Sequence, residues 1–305
     1  MVQFIIRRLF LSIFVILGVT IVVFAVVRLS GDPTGLMISP DASAEDVAAL
    51  RHEMGFDRSI PLQFWDFAKG AVRGDFGDSL RYREPAFSLV TERLAATMKL
   101  TVAALTIAIC VAIPAGVISA VKRNSIWDRL AMFFALFGQS MPVFWFGILL
   151  ILIVSVQLQW LPSSGSNGPR SLILPAVTLG LYSTARITRL VRSEMIETIS
   201  QDFVRTARAK GLRDRVVLYR HAFRNALIPV VTVIGIEAGG MLGGAVITET
   251  VFAWPGIGQL AVRAIFNRDY PLVQAIVFTI ACIFVLINLL VDVLYAYLDP
   301  RVKLA

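Results

Sequence analysis

One carboxylate stands alone in an otherwise apolar stretch: Glu237, inside Ala226–Thr248, with Gly235, Gly239, Gly240, Gly243 and Gly244 around it. An acidic group at membrane depth is costly unless it faces a partner or a water-filled cavity, so Glu237 marks either an interhelical bond or a pathway. Glycines four apart let helix backbones approach closely. Five are more than one seam needs, and they also thin the wall of any pore, so both readings stay open.

Other residue sets with catalytic potential are incomplete. Gly77-Asp78-Ser79-Leu80 matches a short serine-esterase pattern, and such a serine needs a histidine base within hydrogen-bond reach. The chain has only His52 and His221, and no motif links His52 to Ser79. No helix carries both a histidine and a serine in a G-x-S-x-G turn, so an intramembrane serine protease is excluded. His52-Glu53 opens like the zinc motif H-E-x-x-H, but Phe56 stands where the second ligand belongs. No Gly-Lys dipeptide occurs, so the chain lacks the G-x-x-x-x-G-K-[ST] phosphate loop. The expectation is a chain with no catalytic residue and no metal; if ATP drives it, another subunit binds the nucleotide.

The surrounding elements explain why. Hydrophobic residues make up 57% of the 305 and charged ones 16%, against about a quarter charged in soluble domains. Crossing the hydrocarbon core takes about 20 apolar residues. Stretches free of charge run over Leu9–Val27, Leu100–Val121, Leu130–Val156 and Leu272–Val291. Ala226–Thr248 is broken only by Glu237, and the stretch from Leu172 ends at Arg186. Six crossings within lipid are therefore expected. The first could be read as a cleaved secretory signal, but it is too long and no A-x-A-like site follows.

The net charge of +8 could point to nucleic acid. Placing Arg7 and Arg8 in the cytoplasm instead puts Lys122, Arg123, Arg129, the segment Arg186–Arg224, Arg301 and Lys303 on that side as well, as the positive-inside rule requires. His221 then lies across the membrane from Ser79. In the outward loop Arg28–Lys99, nine basic and eleven acidic residues nearly cancel. Helix-like stretches at Ala44–Met54 and Leu62–Ala71, separated by Gly55, Pro61, Gly70 and Gly74, make this loop a small folded cap. Cys110 and Cys282 fall in apolar helices and imply no disulfide. The organisation expected is a first helix within 1–28, the cap 29–99, a five-helix core 100–298 and a tail 299–305. Pro114, Pro142, Pro175 and Pro229 suit kinked membrane helices, and Asp292 reads as a structural or interfacial group. Phe252-Ala253-Trp254-Pro255-Gly256 reads as an aromatic interfacial anchor and turn.

The inward segment 193–225 is the most specific. The stretch from Asp202 to Leu212 reads as a short helix broken at Gly211, which suits a left-handed turn, and the residues after it as a second helix leading to the membrane. Seven basic residues from Arg205 to Arg224 face four acidic ones from Glu194 to Asp214. The string Arg205-Thr206-Ala207-Arg208-Ala209-Lys210-Gly211-Leu212, followed by Arg220-His221-Ala222-Phe223-Arg224-Asn225-Ala226-Leu227-Ile228-Pro229, resembles the coupling loop of permeases in the dipeptide, oligopeptide and nickel family of ABC importers. Further landmarks similar to that family follow in its order: Arg7-Arg8-Leu9, Gly31-Asp32-Pro33, Gly74–Ser79, Pro142–Trp145, Glu249–Gly258, Arg268-Asp269-Tyr270-Pro271 and Asn288–Asp292. The broader importer pattern E-A-A-x-x-x-G is kept only at Ala207 and Gly211, a departure typical of the peptide class.

That resemblance implies an all-α, six-helix type I importer permease in the bacterial cytoplasmic membrane, both termini inside. It would pair with a homologous second permease, two ATPase subunits that hold ATP and magnesium, and an extracytoplasmic binding protein. Arg205, Thr206, Ala207, Arg208, Lys210, Gly211, Arg220, His221, Arg224 and Asn225 would couple to an ATPase. Glu237, Gly239, Gly240 and Gly243 would border the pathway, and Trp254, Pro255 and Gly256 would form an outer gate loop. The cargo would be short peptides, with glutathione-like compounds or chelated nickel as alternatives. A proton-coupled carrier using Glu237 and a membrane-bound hydrolase using Ser79 are the readings from other classes.

Overall fold

The computed structural model describes residues 2–29, 43–53, 55 and 57–298. The Gly31-Asp32-Pro33 landmark, Phe56 and the tail 299–305 lie outside the described residues. In chain order the helices are α1 (Val2–Leu29), α2 (Ala44–Glu53), α3 (Ile60–Arg73), α4 (Ala86–Val121), α5 (Ile126–Ser140) and α6 (Val143–Leu150), which runs on as a π-helix to Gln157. A 3-10 turn, Pro169–Leu172, precedes α7 (Ile173–Ile199) and α8 (Asp202–Ala209). Then come α9 (Arg224–Val251), α10 (Ile257–Phe266) and α11 (Tyr270–Leu298). No strand occurs among the described residues.

Among the described residues, four helical stretches, Ile6–Leu29, Ala86–Val121, Asp214–Val251 and Tyr270–Val293, are long and apolar enough to cross a membrane. The expected third crossing is two helices, α5 and α6, bent by 108°. Pro142 causes the break: it disfavours helical backbone at the residue before it, and Met141 is extended at φ −81°, ψ 133°. Pro114 and Pro229, by contrast, sit inside continuous helices. The expected fourth crossing lies at the start of α7, whose second half carries Arg186, Arg189, Arg192, Glu194 and Glu197. That charge keeps α7 from qualifying as an apolar span.

The chain divides into two compact units. One comprises Val2–Thr97 and Pro255–Leu286. Its core joins Phe76, Ala86 and Val90 to Ile257, Leu260, Leu272 and Ile276. A run of rings, Phe24 to Phe67 at 5.8 Å, Phe67 to Phe76 at 6.2 Å and Phe76 to Phe278 at 5.4 Å, ties α1, α3 and α11 together. Helix α2 starts with a reciprocal cap: the Ser43 hydroxyl accepts from the Asp46 amide, and Asp46 accepts from the Ser43 amide. Helix α3 ends at Gly74, left-handed at φ 73°, as the glycine there anticipates.

A turn over residues 77–86 follows, in which Ser79 donates its amide to Glu84 and Ala86 donates to Gly77. The buried carboxylate of Asp269 fixes this turn. It accepts from the Ser79 hydroxyl at 2.5 Å, from the Leu80 and Arg81 amides at 3.2 Å each, and from Leu272 at the head of α11. Two landmarks 190 residues apart are thus one structural element.

The other unit comprises Met98–Trp254 and Ile287–Ala305. Helix α7 is central, packing on α5, α6 and α9. Its Gly180 lies so close to α4 that a Cβ there would be 2.8 Å from the Ala104 carbonyl oxygen. A core of Ala112, Ile187, Val191, Met195, Val204, Val217, Ala222 and Val230 joins α4, α7, α8 and α9.

Replacing Asp269 by alanine orphans three amides and a hydroxyl at once. We expect Asp269→Ala to cost about 2–4 kcal/mol and Ser79→Ala about 1 kcal/mol, read by chemical denaturation of the detergent-solubilised protein.

Candidate coupling and translocation site

The segment after α7 folds as an elbow. Helix α8 buries Val204 and Ala207, three residues apart on one face, in the core just described. This leaves Arg205, Thr206, Arg208 and Lys210 exposed on the other face. Arg205 pairs with Asp202 at 3.6 Å, and Arg208 reaches across the break to Asp214 at 3.5 Å. Gly211, at φ 77°, closes α8 by donating its amide to the Arg208 carbonyl. A side chain is disfavoured at that φ.

Beyond the break, helical backbone is continuous over Asp214–Val251. Its Val217–Phe223 stretch is a π-helix. Arg220, Arg224 and Asn225 are exposed there, His221 is half-buried, and the Asn225 amide donates to the His221 carbonyl at 2.7 Å. These basic residues are exposed, and the inner face of α8 is closed by the apolar core.

Glu237 is buried on α9, and both its oxygens are engaged by α7. Arg186 Nη1 donates to Oε1 at 2.6 Å, and the Ser183 hydroxyl donates to Oε2. This group borders a cavity of about 320 Å³ lined by Tyr182, Ser183, Arg186, Glu237, Gly240 and Met241 with aliphatic neighbours.

The glycines divide by role. A Cβ at Gly235 would lie 3.0 Å from Val291 Cβ, so that glycine serves helix packing. At Gly240 and Gly243 an added Cβ meets nothing within 4 Å; Gly239 is buried. Packing alone explains only part of the set.

Trp254 is 4% exposed and donates its amide to the Glu249 carbonyl, with Ala253 left-handed at φ 47°. Trp254 is thus buried and is not an exposed anchor. Pro255 and Gly256 belong to the other unit, where Gly256 starts α10.

The hydrolase reading meets a different geometry. Ser79 is 1% exposed and its hydroxyl is committed to Asp269. His52 Nδ1 lies 2.6 Å from Asp57, whose carboxyl it holds below the usual carboxylate range. No cluster of metal-ligating side chains occurs among the described residues.

Comparison with known proteins decides the family. Residues 112–304 match the model of the binding-protein-dependent transport system inner membrane component, and residues 1–101 match its N-terminal companion. The chain is 41% identical to the dipeptide transport system permease protein DppB of Alkalihalophilus pseudofirmus, over 99% of this chain and 100% of that one. It is also 41% identical to the glutathione transport system permease protein GsiC of Escherichia coli K12, over 99% of each. The chain belongs to this permease family. Its fold is similar to that of the MetNI methionine ABC transporter in an inward-facing conformation, with TM-score 0.57 at 19% identity, covering 69% of this chain and 96% of that one. An amino acid ABC transporter chain matches at TM-score 0.51 and 20% identity, covering 70% and 94%. The protein is therefore an all-helical, multi-pass importer permease subunit and not an enzyme.

The permease holds a second set of paired charges absent from the sequence-based site. Asp128 at the head of α5 accepts from Arg192 Nε at 2.6 Å and Nη2 at 2.9 Å, from the Ser119 hydroxyl at 2.5 Å and from the Asn124 amide. Arg189 donates to Gln139 at 2.5 Å. Arg186, Arg189 and Arg192 thus form a ladder on α7 in which every rung has an acceptor on another helix. Their spacing of three is the signal available in the sequence, although Arg186 also ends an apolar run. Asp128→Ala should cost about 2–3 kcal/mol, since Arg192 would be left part-buried and unpaired. Asp128→Ala with Arg192→Met should cost clearly less than the two single losses added, as measured in a double-mutant cycle.

Proposed function

We propose that this permease forms half of the pathway of an ATP-driven importer of short peptides in the bacterial cytoplasmic membrane. Both termini and the 193–225 segment would be cytoplasmic, residues 29–99 would be external, and the chain would cross six times with α7 supplying the fourth pass. The partners are a homologous second permease, two ATPase subunits carrying ATP and magnesium, and an extracytoplasmic binding protein. The relatives named for dipeptide and glutathione transport support the cargo class; both cargoes are short peptides with ammonium and carboxylate groups.

The observation that carries this reading is the elbow. A helix of two turns, anchored by Val204 and Ala207 and ended by a left-handed glycine, turns its cationic face outward. Such a part transmits force because its inner face is locked in the core, whereas a floppy linker would absorb the same displacement. Docked in an ATPase cleft, it would be pulled when ATP closes the nucleotide subunits. The pull would reach α7 and α9 and open the pathway outward, and hydrolysis would reset it.

Gly211→Pro is incompatible with φ 77° because proline is held near −65°, and Arg208→Glu with Lys210→Glu reverses the docking face. Each is expected to leave the chain membrane-inserted and to cut uptake and binding-protein-stimulated ATP hydrolysis by about tenfold or more, the loss of roughly one charge-assisted contact. Unchanged uptake and unchanged ATPase stimulation in reconstituted proteoliposomes would remove the proposal.

A further inference from the structure

The Arg186–Glu237 pair is built differently from two other buried carboxylates, Asp128 and Asp269. Those two each accept from donors on more than one segment of the chain. Glu237 instead takes both its side-chain donors, Ser183 and Arg186, from α7, and all three residues line the cavity of about 320 Å³. Arg186 uses one nitrogen on Glu237, while its side chain remains 45% exposed. Gly240 lies three residues after Glu237, on the same helical face, and offers open space where a side chain would project. An interhelical bond needs no such room beside it.

From this geometry we infer that the pair is a substrate-exchange site: it opens to receive the two ends of a zwitterionic peptide, the ammonium on Glu237 and the carboxylate on Arg186. The inference rests on the importer reading and specifies its chemistry. An unpaired charge in a low-dielectric passage is strongly disfavoured. Exchanging one internal pair for two pairs with the peptide leaves every charge with an opposite neighbour. The pair and the zwitterion each sum to zero, so the exchange adds no net charge to the passage. Ser183, bonded to Oε2, is a positioning residue that keeps the carboxylate aimed at the cavity while Oε1 changes partner. The remaining walls include Val143, Leu179, Ile236 and Met241, which contact side chains without hydrogen-bond selection. The site therefore reads the peptide's ends and tolerates its sequence.

The test uses the assembled complex and a dipeptide of alanine and photo-leucine, whose diazirine leaves both ends unmodified. Uptake by proteoliposomes with the binding protein is measured first. Photolabelling is then done on the solubilised complex without the binding protein, so that no upstream selection intervenes, and labelled sites are mapped by mass spectrometry. Label is expected on α7 near Tyr182 and on α9 near Gly240, reduced about tenfold or more when the probe is N-acetylated and C-amidated. Glu237→Gln and Arg186→Gln should each lower it similarly, with Ser183→Ala in between. If a variant fails to assemble, the wild-type label positions and the blocked probe still decide. Uptake with no label on these segments, or equal label from the blocked probe, overturns the inference and leaves the importer reading standing. Absence of wild-type uptake of the dipeptide counts against the importer reading itself.

Discussion

A carboxylate removed from water must find donors within the protein, and this requirement organises the chain. Asp128, Asp269 and Glu237 are each less than a tenth exposed. Each accepts from a serine hydroxyl, Ser119, Ser79 or Ser183, and from at least one N–H group. The segments so joined are far apart in sequence: Ser79 to Asp269 spans 190 residues and Ser183 to Glu237 spans 54. Apolar packing tolerates sliding of one helix on another, whereas a buried acid with fixed donors does not. The acids therefore set register where the aliphatic cores of the two units supply bulk.

The apolar runs were legible because composition and length alone decide whether a helix can cross lipid. So were local devices read from a few adjacent residues: the left-handed Gly211, the helix preceding it, the two helices of 44–73 and the stop at Gly74. In each of these the backbone conformation is dictated by residues within one turn. The positive surface of the elbow was legible in its basic residues, but the burial of Val204 and Ala207 was not, because the core that covers them comes from distant helices; Ala207, expected among the coupling residues, faces that core.

What stayed hidden depends on long-range partners. Nothing near Ser79 in the sequence points to Asp269, so the serine looked chemical when it is a donor in a turn. Arg186 looked like the edge of a span when it is one rung of a ladder, because its acceptor lies 51 residues away. The break at Pro142 was underestimated for a related reason: proline inside a membrane helix leaves either a kink or a corner. Pro229 and Pro142 resolve that choice oppositely, the former continuing α9 and the latter leaving Met141 extended.

The backbone that carries Glu237 is one helical rod from Asp214 to Val251, and the backbone that carries Arg186 is another that ends at Ile199. Gly211 and α8 join the two rods at one end, and the salt link joins them further along, about 35 Å from Asp214 at 1.5 Å per residue. Between these points the rods grip a common core of Val191, Met195, Val217 and Val230. The two rods are therefore held at two points, the chain joint at Gly211 and the charge pair, with aliphatic packing between them.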